Sequence, residues 1–229
     1  MLTVACVLKS HSPYSPYRLT DVVCLYRMVC EHLKIPFRFV CLSDLKSPKV
    51  PGVEWIRLNH DWEGWWSKLE LFAPQTFADG ERVLYIDLDT IILGDLYDIA
   101  NRTEEFIGIG DFYRRPPYQQ EIGFGSGLML WTAGVEPQIH SEFQYRFRGS
   151  FPGGDQQWME SVLTRKPALW EFLVPDQVVS YKVHCRHKPP SGARVVCFHG
   201  HPKPSQVMDP WVKTLRKRFL PKVVAGVFA

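Results

Sequence analysis

Two aspartates stand in an apolar stretch near the middle of the chain. The stretch RVLYIDLDTIIL, residues 82–93, contains Asp87 and Asp89. An ionised carboxylate removed from water is costly unless it has a partner, and two neighbouring carboxylates repel each other. The alternative is a pair of turn carboxylates that face water, but the apolar residues on both sides argue against it. We therefore expect a positive group between the two side chains.

A divalent cation is the positive group that this spacing favours. If residues 82–87 form a strand and the chain stays extended, Asp87 and Asp89 point to the same side just past its carboxyl end. Ligands of open α/β sheets bind outside those ends. Carboxylate oxygens suit Mg²⁺ or Mn²⁺, and an added imidazole favours Mn²⁺.

An imidazole and a lysine follow another apolar stretch. His199 ends ARVVCFH, and Lys203 comes four residues later. A histidine at the end of a strand is by itself more often a surface or core residue than a ligand. Together with the acidic pair and the lysine, it predicts a metal site that receives a diphosphate.

The apolar pattern predicts an α/β fold. Residues 3–8 and 37–42 read as strands around a helix at 19–34, with Thr20 as its N-cap. Strand, helix and strand with short connections form the βαβ signature. We expect one α/β domain over residues 1–229 with a mixed sheet. Further strands are predicted at 53–58, 82–87, 106–110, 127–131 and 193–199, and further helices at 65–73, 138–147 and 155–163.

Composition excludes several classes of protein. Apolar residues make up 45% and charged residues 22%, which is ordinary for a globular chain, and the net charge of +3 is too small to indicate nucleic-acid binding. No apolar run approaches the ~20 residues of a membrane span, and the first residues lack a signal-peptide pattern. The six cysteines show no CxxC pair and no zinc-like spacing, which predicts a reducing, cytoplasmic location.

The end of the chain is basic from about residue 208. This tail is predicted to be a solvated helix face, the common use of such runs. The alternative is a contact with a nucleic acid or with an anionic membrane surface. Its basic residues are Lys213, Arg216, Lys217, Arg218 and Lys222.

Taken in order, the motifs resemble those of a known enzyme family. The series SKLELF, RVLYIDLDTIILGDLYDI, IGIGD, GSGLMLW, GDQQWM and VCFHGHPKP is similar to that of the GT-A glycosyltransferases of the glycogenin and bacterial lipooligosaccharide galactosyltransferase type. It covers roughly residues 60–205. A DxD pair alone is a weak motif, whereas several matches in the right order are far more specific. The resemblance implies a single-domain GT-A fold, Rossmann-like, with a mixed central sheet and flanking helices.

The resemblance implies roles for the matching residues. Asp155 and Gln156 match a pair beside the anomeric carbon of the donor sugar and are the expected catalytic residues; for Asp155 the alternative is a helix N-cap. The expected ion is Mn²⁺, with Mg²⁺ as second choice. The expected metal ligands are Asp87, Asp89 and His199, with His201 as the alternative to His199. The expected donor-binding residues are Lys68, Leu88, Asp111, Ser126, Gly127, Gly200 and Lys203.

The chain also departs from the family pattern. The family has a longer step from the histidine to the lysine than the one from His199 to Lys203. Ser205 replaces the tryptophan of the family's KPW, and Gly125 replaces the asparagine before its SG.

The reaction implied is transfer of a hexose from a nucleotide diphosphate sugar, with UDP as the expected nucleotide and retention at the anomeric carbon. The acceptor hydroxyl could belong to a glycan, a lipid-linked sugar, a protein or a modified nucleobase, and the loop 112–121 is expected to be an acceptor or lid loop. Two alternatives stay open. One is a haloacid-dehalogenase-like phosphatase with the first aspartate as nucleophile; the other is a non-catalytic sugar-nucleotide-binding protein.

Overall fold

The structure is a computed structural model that describes residues 1–10, 16–46, 48–118, 120–185 and 187–220. Its strands are β1 (Leu2–Leu8), β2 (Phe37–Ser43), β3 (Val53–Arg57), β4 (Arg82–Ile86), β5 (Thr90–Ile92), β6 (Phe106–Gly110), β7 (Phe124–Thr132), β8 (Ala168–Leu169), β9 (Val178–Ser180) and β10 (Val195–Cys197). Seven of them form one sheet in the order β3-β2-β1-β4-β7-β6-β8.

The first four strands of this sheet are parallel. β1 lies between β2 and β4 and is buried on both faces, which explains why its sequence is a continuous apolar run. The connection from β1 to β2 is α1 (Leu19–His32), so the predicted βαβ unit is confirmed. The predicted cap at Thr20 is wrong: the helix already begins at Leu19, and the Asp21 carboxylate accepts the backbone N–H of Arg18 at 2.9 Å.

The other half of the sheet is antiparallel around β7. β7 pairs antiparallel with both β4 and β6, and β8 then runs parallel to β6. The sheet is therefore mixed, as expected. The pairing of β4 with β7 continues one residue past β4, since the backbone N–H of Asp87 donates to the carbonyl of Gly127 at 3.0 Å. This bond fixes the first carboxylate at the end of the parallel strands.

A second, three-stranded sheet was not foreseen from the sequence. Its order is β5-β10-β9, with β10 antiparallel to β5 and parallel to β9. Thr90, directly after Asp89, pairs with Cys197, two residues before His199. The second sheet therefore brings the acidic pair and the candidate imidazole to the same end of the molecule.

The remaining helices are short, apart from the last. They are α2 (Tyr97–Ala100), α3 (Gln138–Ser141), α4 (Asp155–Val162), α5 (Trp170–Leu173), α6 (Tyr181–His184) and α7 (Pro210–Phe219), together with 3₁₀ segments Gly64–Phe72 and Tyr145–Ser150. The prediction of a helix at 65–73 is right in position, but the segment is 3₁₀. The predicted helix at 138–147 is wrong: α3 ends at Ser141, and the second 3₁₀ segment follows after a break.

The two faces of the main sheet carry separate apolar cores. On one face α1, α7 and the second sheet pack against residues such as Val4 and Leu84. On the other face the 3₁₀ segment Gly64–Phe72, α3 and α4 surround Tyr85 and Trp131. This three-layer arrangement is the α/β class predicted from the sequence. Within the described residues, no helix has the length and apolar character needed to cross a membrane.

Candidate active site at the carboxyl ends of the parallel strands

A single large cleft brings the candidate residues together. Its volume is about 750 Å³, within the range of small-molecule sites, and it opens at the carboxyl ends of β1 and β4. This is where ligands of open α/β sheets bind. All the residues predicted for donor, metal and catalytic roles line it: Lys68, Asp87, Leu88, Asp89, Asp111, Ser126, Gly127, Asp155, Gln156, His199, Gly200 and Lys203.

The first carboxylate of the pair is held by a buried lysine. Lys68 Nζ lies 3.2 Å from Asp87 Oδ1 and 3.1 Å from Asp155 Oδ2. It also donates to Ser126 Oγ at 3.1 Å, and Ser126 donates in turn to Asp155 Oδ2 at 2.6 Å. Burial alone would lower the pKa of Lys68, but the two carboxylates outweigh it and raise that pKa, so the ammonium stays charged.

The network also explains Asp155. α4 begins at Asp155 itself, with Gly154 at a φ of 71° as the capping residue, and the Asp155 side chain bonds to Lys68 and Ser126. The N-cap interpretation of Asp155 is therefore wrong. Its carboxylate faces the cleft.

The second carboxylate is held by a different lysine. Lys203 Nζ lies 2.6 Å from Asp89 Oδ2, and the hydroxyl of Tyr17 donates to the same oxygen at 2.8 Å. Asp89 is buried. Burial and the neighbouring Asp87 raise its pKa, while Lys203 opposes that rise. The positive groups beside the acidic pair in this structure are thus two lysines.

The chain does not stay extended between the two carboxylates, as the sequence analysis had assumed. The backbone N–H of Thr90 donates to the carbonyl of Asp87 at 3.0 Å, which closes a turn over Leu88 and Asp89. The turn reverses the chain from β4 into β5. Both carboxylates nevertheless line the cleft, because the turn itself lies at its floor.

A second polar group, formed by Gln156 and Asp111, also lines the cleft. Gln156 Nε2 donates to Asp111 Oδ2 at 3.1 Å, so the predicted catalytic amide and the predicted donor-binding carboxylate are in contact. Burial would raise the pKa of Asp111, but the backbone N–H groups of Arg114 and Tyr113 and the Arg114 guanidinium together lower it. Asp111 is therefore an ionised acceptor for hydroxyl groups at neutral pH.

His199 is at the cleft but faces a serine. Its Nε2 lies 2.7 Å from Ser180 Oγ, and its ring stacks on Phe112 with centroids 5.3 Å apart. Burial and the nearby Lys182 ammonium lower the pKa of His199 to about 4, so the imidazole is neutral at pH 7. The alternative ligand His201 also lines the cleft, with its Nδ1 3.3 Å from Gln206 Oε1.

The donor set fits a divalent cation in its chemistry but is not assembled around one here. Two carboxylates and a neutral imidazole are ligands that Mn²⁺ accepts. In the part of the chain that the structure describes, however, no three His, Cys, Asp or Glu side chains form a group that could hold a metal ion. Binding by Asp87 and Asp89 would require exchange of their lysine partners. The metal assignment of His199 stays a prediction.

Several cleft residues were missed by the sequence analysis. Tyr85 donates its hydroxyl to Asp87 Oδ1, and its position two residues earlier on the same face of β4 was a signal. Lys9 directly follows the apolar strand β1, which was also a signal, and it bonds to Asp61 at 2.6 Å. Tyr17 lies between two elements and carries no such signal.

The start of the proposed acceptor loop is tied to the body of the protein. Arg114 pairs with Asp111 and Glu160, and Arg115 pairs with Glu171 at 3.0 Å. Tyr113 lines the cleft. Phe112, the first residue of the predicted loop 112–121, also lines the cleft, so two residues of the loop lie there; a role as acceptor or lid loop stays a prediction.

The basic tail packs against α1. Arg216 pairs with Asp21 at 3.3 Å, and Arg218 pairs with Glu31. Lys213 is exposed, and Lys222 lies outside the described residues. Two of the tail's arginines are thus already neutralised by acids of α1, which favours the solvated-face interpretation.

Substitution of Gly127 tests the fit around the first carboxylate. A Cβ at this position would lie 3.1 Å from Asp87 Oδ2, closer than ordinary van der Waals contact. We expect Gly127→Ala to displace Asp87 by a few tenths of an ångström and to lower turnover at this cleft about tenfold, because catalytic geometry tolerates little displacement. The unfolding midpoint should change little. Steady-state kinetics and thermal unfolding measure both, with Gly125→Ala, whose Cβ meets only ordinary contacts, as the control. Equal activity of the two variants would contradict the expectation.

Known structures resemble this fold closely along the whole chain. A structure of an active-site mutant of LgtC matches with a TM-score of 0.65 and 12% identity, covering 97% of this chain and 98% of LgtC. GlyE, a glycosyltransferase from Streptococcus pneumoniae TIGR4, matches with a TM-score of 0.58 and 12% identity, over 96% of this chain and 60% of GlyE. The bifunctional glycosyltransferase WbbM matches with a TM-score of 0.56 and 12% identity, over 95% of this chain and 51% of WbbM. No family model and no curated protein matches the sequence.

These likenesses establish the fold. At such low sequence identity, they show only that this chain shares the architecture of LgtC, GlyE and WbbM. The GT-A fold that the motifs predicted is confirmed. A second LgtC structure, the galactosyltransferase in complex with donor and acceptor sugar analogues, matches with a TM-score of 0.62 and 13% identity.

Proposed function

We propose that the protein is a glycosyltransferase that moves a hexose from a UDP-sugar to an acceptor hydroxyl, with Mn²⁺ as the metal and with retention at the anomeric carbon. The observation that carries this proposal is the convergence of Asp87, Asp89, Asp155, Gln156 and Lys203 in one cleft of a GT-A fold. A nucleotide sugar requires groups that neutralise a diphosphate beside groups that bind sugar hydroxyls, and this cleft has both.

The reaction breaks the bond between the anomeric carbon and the β-phosphate oxygen, and the bonding electrons leave with UDP. The acceptor oxygen forms the new bond to that carbon, and its proton passes to the departing diphosphate. Lys203 and Lys68 would stabilise the charge that develops on the departing diphosphate, since both line the cleft beside the acidic pair. A bound metal, held by Asp87 and Asp89, would act there as a Lewis acid.

The reacting carbon would lie near the second polar group, since Asp155 also contacts Lys68. Asp155 and Gln156 begin α4, and Gln156 bonds to Asp111. We assign Asp111 and Ser126 to the sugar hydroxyls, and Asp155 and Gln156 to the region where positive charge develops. No protein nucleophile is assigned.

The exposed indole of Trp65 also lines the cleft, beside Gly153 and Gly154. An aromatic face of this kind stacks well on a sugar ring. We place the acceptor on this side, and its identity as a glycan, lipid-linked sugar, protein or nucleobase is open. All six cysteines are free thiols, which supports the cytoplasmic location as part of the proposal.

The two alternative functions make different demands on the fold. A haloacid-dehalogenase-like phosphatase would use Asp87 as a nucleophile, but here Asp87 is bound by Lys68 and Tyr85 in a fold shared with glycosyltransferases. A non-catalytic binder would keep the cleft and lack turnover. Of these two alternatives, only the phosphatase would hydrolyse a simple phosphate ester.

A panel of nucleotide sugars with and without Mn²⁺ tests the proposal. A UDP-hexose at about a hundred times its Kd should stabilise the fold by about 2.7 kcal/mol, which raises the unfolding midpoint by roughly 5–11 °C for a chain of this size. The same UDP-hexose should be hydrolysed slowly in the presence of Mn²⁺. Stabilisation without hydrolysis across UDP-hexoses would favour the binder, and cleavage of p-nitrophenyl phosphate would favour the phosphatase. No stabilisation by any nucleotide sugar would refute the proposal.

A further inference from the structure

Among the described residues, the lysines that line the cleft and the one that stands next to it differ in their partners. Lys9 lies 2.6 Å from Asp61, Lys68 lies 3.1 Å from Asp155, and Lys203 lies 2.6 Å from Asp89. Each of these charges is therefore compensated within the protein. Such pairs leave little positive charge free for a ligand until a ligand replaces one of the partners.

Lys182 is the exception. It lies on α6, and its Nζ is 3.4 Å from the position that a Cβ would occupy on Gly200, a residue that lines the cleft. The same Nζ stands 5.8 Å from the centroid of the Tyr113 ring. In the part of the chain that the structure describes, no carboxylate forms an ion pair or hydrogen bond with it.

The surroundings of Lys182 are themselves positive. Burial and the Lys203 ammonium lower the pKa of Lys182, while Asp89 opposes them. An ammonium held beside another ammonium, without its own acid, is unfavourable in the empty cleft. It becomes favourable when an anion with several oxygen atoms lies between the two lysines.

The backbone at Gly200, next to Lys182, also leaves room for a ligand to approach closely. Gly200 has a φ of 64°, in the left-handed region that favours glycine, and Lys182 Nζ is the one described atom within 4 Å of where its side chain would be. The peptide at Gly200 is thus open on the side where the ammonium stands. A phosphate group can reach a backbone that carries no side chain.

We propose that Lys182 is a diphosphate-binding residue, which acts together with Lys203 on the phosphate groups of the nucleotide at Gly200. This inference rests on the proposed function for the identity of the nucleotide. It adds a residue that the sequence motifs did not mark, since Lys182 belongs to none of the motifs on which the resemblance depends. A sugar ring, which is neutral, would leave this charge uncompensated.

The test compares ligands with and without phosphate. Affinities of UDP, inorganic pyrophosphate and uridine are measured for the wild-type protein, Lys182→Met and Lys182→Arg, by calorimetry for the anions and by NMR titration for uridine. We expect Lys182→Met to weaken UDP and pyrophosphate about tenfold, the contribution of one charge-assisted hydrogen bond, and to leave uridine unchanged. Lys182→Arg should keep most of the affinity because it retains the charge. The affinity of Lys182→Met for UDP should also depend less on salt.

The control is Lys213→Met, which removes an exposed lysine of α7 and should change none of the three affinities. Unchanged UDP binding by Lys182→Met, or an equal loss for uridine and UDP, would overturn the assignment of Lys182. The proposed function is tested separately by the same data. If the wild-type protein binds pyrophosphate through Lys182 but does not bind UDP, the anion site stands and the nucleotide-sugar function fails.

Discussion

Replacement of Asp89 by asparagine should lower UDP-hexose turnover by about a thousandfold or more and abolish the effect of Mn²⁺ on nucleotide binding. The amide keeps an oxygen that can accept the Tyr17 hydroxyl, so local packing is preserved. It loses the negative charge that would attract the metal and that now faces Lys203. A metal that stabilises the leaving group contributes several kcal/mol to the barrier, which corresponds to at least this factor in rate.

Activity and folding must be measured together for this variant. Removal of the charge leaves Lys203 without its carboxylate, but Lys203 lies at the cleft and can turn towards water. We therefore expect Asp89→Asn to unfold cooperatively in a thermal scan. The matched control is Asp79→Asn, the same change at an exposed residue before β4, which should leave turnover intact. Full turnover by Asp89→Asn would remove the metal assignment.

Replacement of Lys68 by methionine should cause the largest loss of stability among single changes in the cleft. Lys68 is buried, and its ammonium joins Asp87, Asp155 and Ser126. Loss of one partner of a buried ion pair leaves an uncompensated charge and costs about 3–5 kcal/mol. Methionine fills similar space, so the loss reflects the charge and not a cavity. Equilibrium unfolding in urea measures the change.

A double variant separates the two contributions. In Lys68→Met with Asp155→Asn, the buried carboxylate that lacks a partner is removed as well. We expect this pair to recover about 1–2 kcal/mol relative to Lys68→Met alone, because substitutions in direct contact are not additive. An unfolding free energy of Lys68→Met within about 1 kcal/mol of wild type would show that the network does not stabilise the fold.

The sequence predicted correctly those elements in which a single hydrophobic pattern determines the secondary structure. β1 and β2 are apolar on both faces, and α1 places its apolar residues on one side, so their bounds agree with the prediction within a few residues. The segment Gly64–Phe72 is buried almost throughout. Because the segment has no exposed side, its polar and apolar residues do not alternate with a period that distinguishes an α-helix from a 3₁₀ helix. This explains why its 3₁₀ character was missed.

The wrong helix at 138–147 has a tertiary cause. Phe143 and Tyr145 both pack on Trp62, with ring centroids at 5.0 and 6.4 Å. Residues two apart in an α-helix do not share a face, so one partner cannot receive both. Burial of these aromatic rings therefore outweighs the helical tendency of the segment.

The common location of the candidate residues was predictable from the sequence, but their pairing was not. The types and spacing of Asp87, Asp89 and His199 suggested a common location, and all three line one cleft. The lysines that hold the carboxylates could not be assigned, because Lys203 is 114 residues from Asp89 along the chain. Only the folded arrangement decides which ammonium lies within reach of which carboxylate.

The short antiparallel pairing of β5 with β10 affects where insertions and deletions can occur in such a protein. It joins Thr90 to Cys197 and so sets the spacing between the acidic turn and the strand that leads to His199. The long piece of chain between these two points supplies other residues of the cleft, among them Asp111, Ser126 and Asp155. That piece can gain or lose residues at its exposed turns while the two ends remain in register. Loops on this piece can therefore differ in length without changing the distance between the acidic turn and His199.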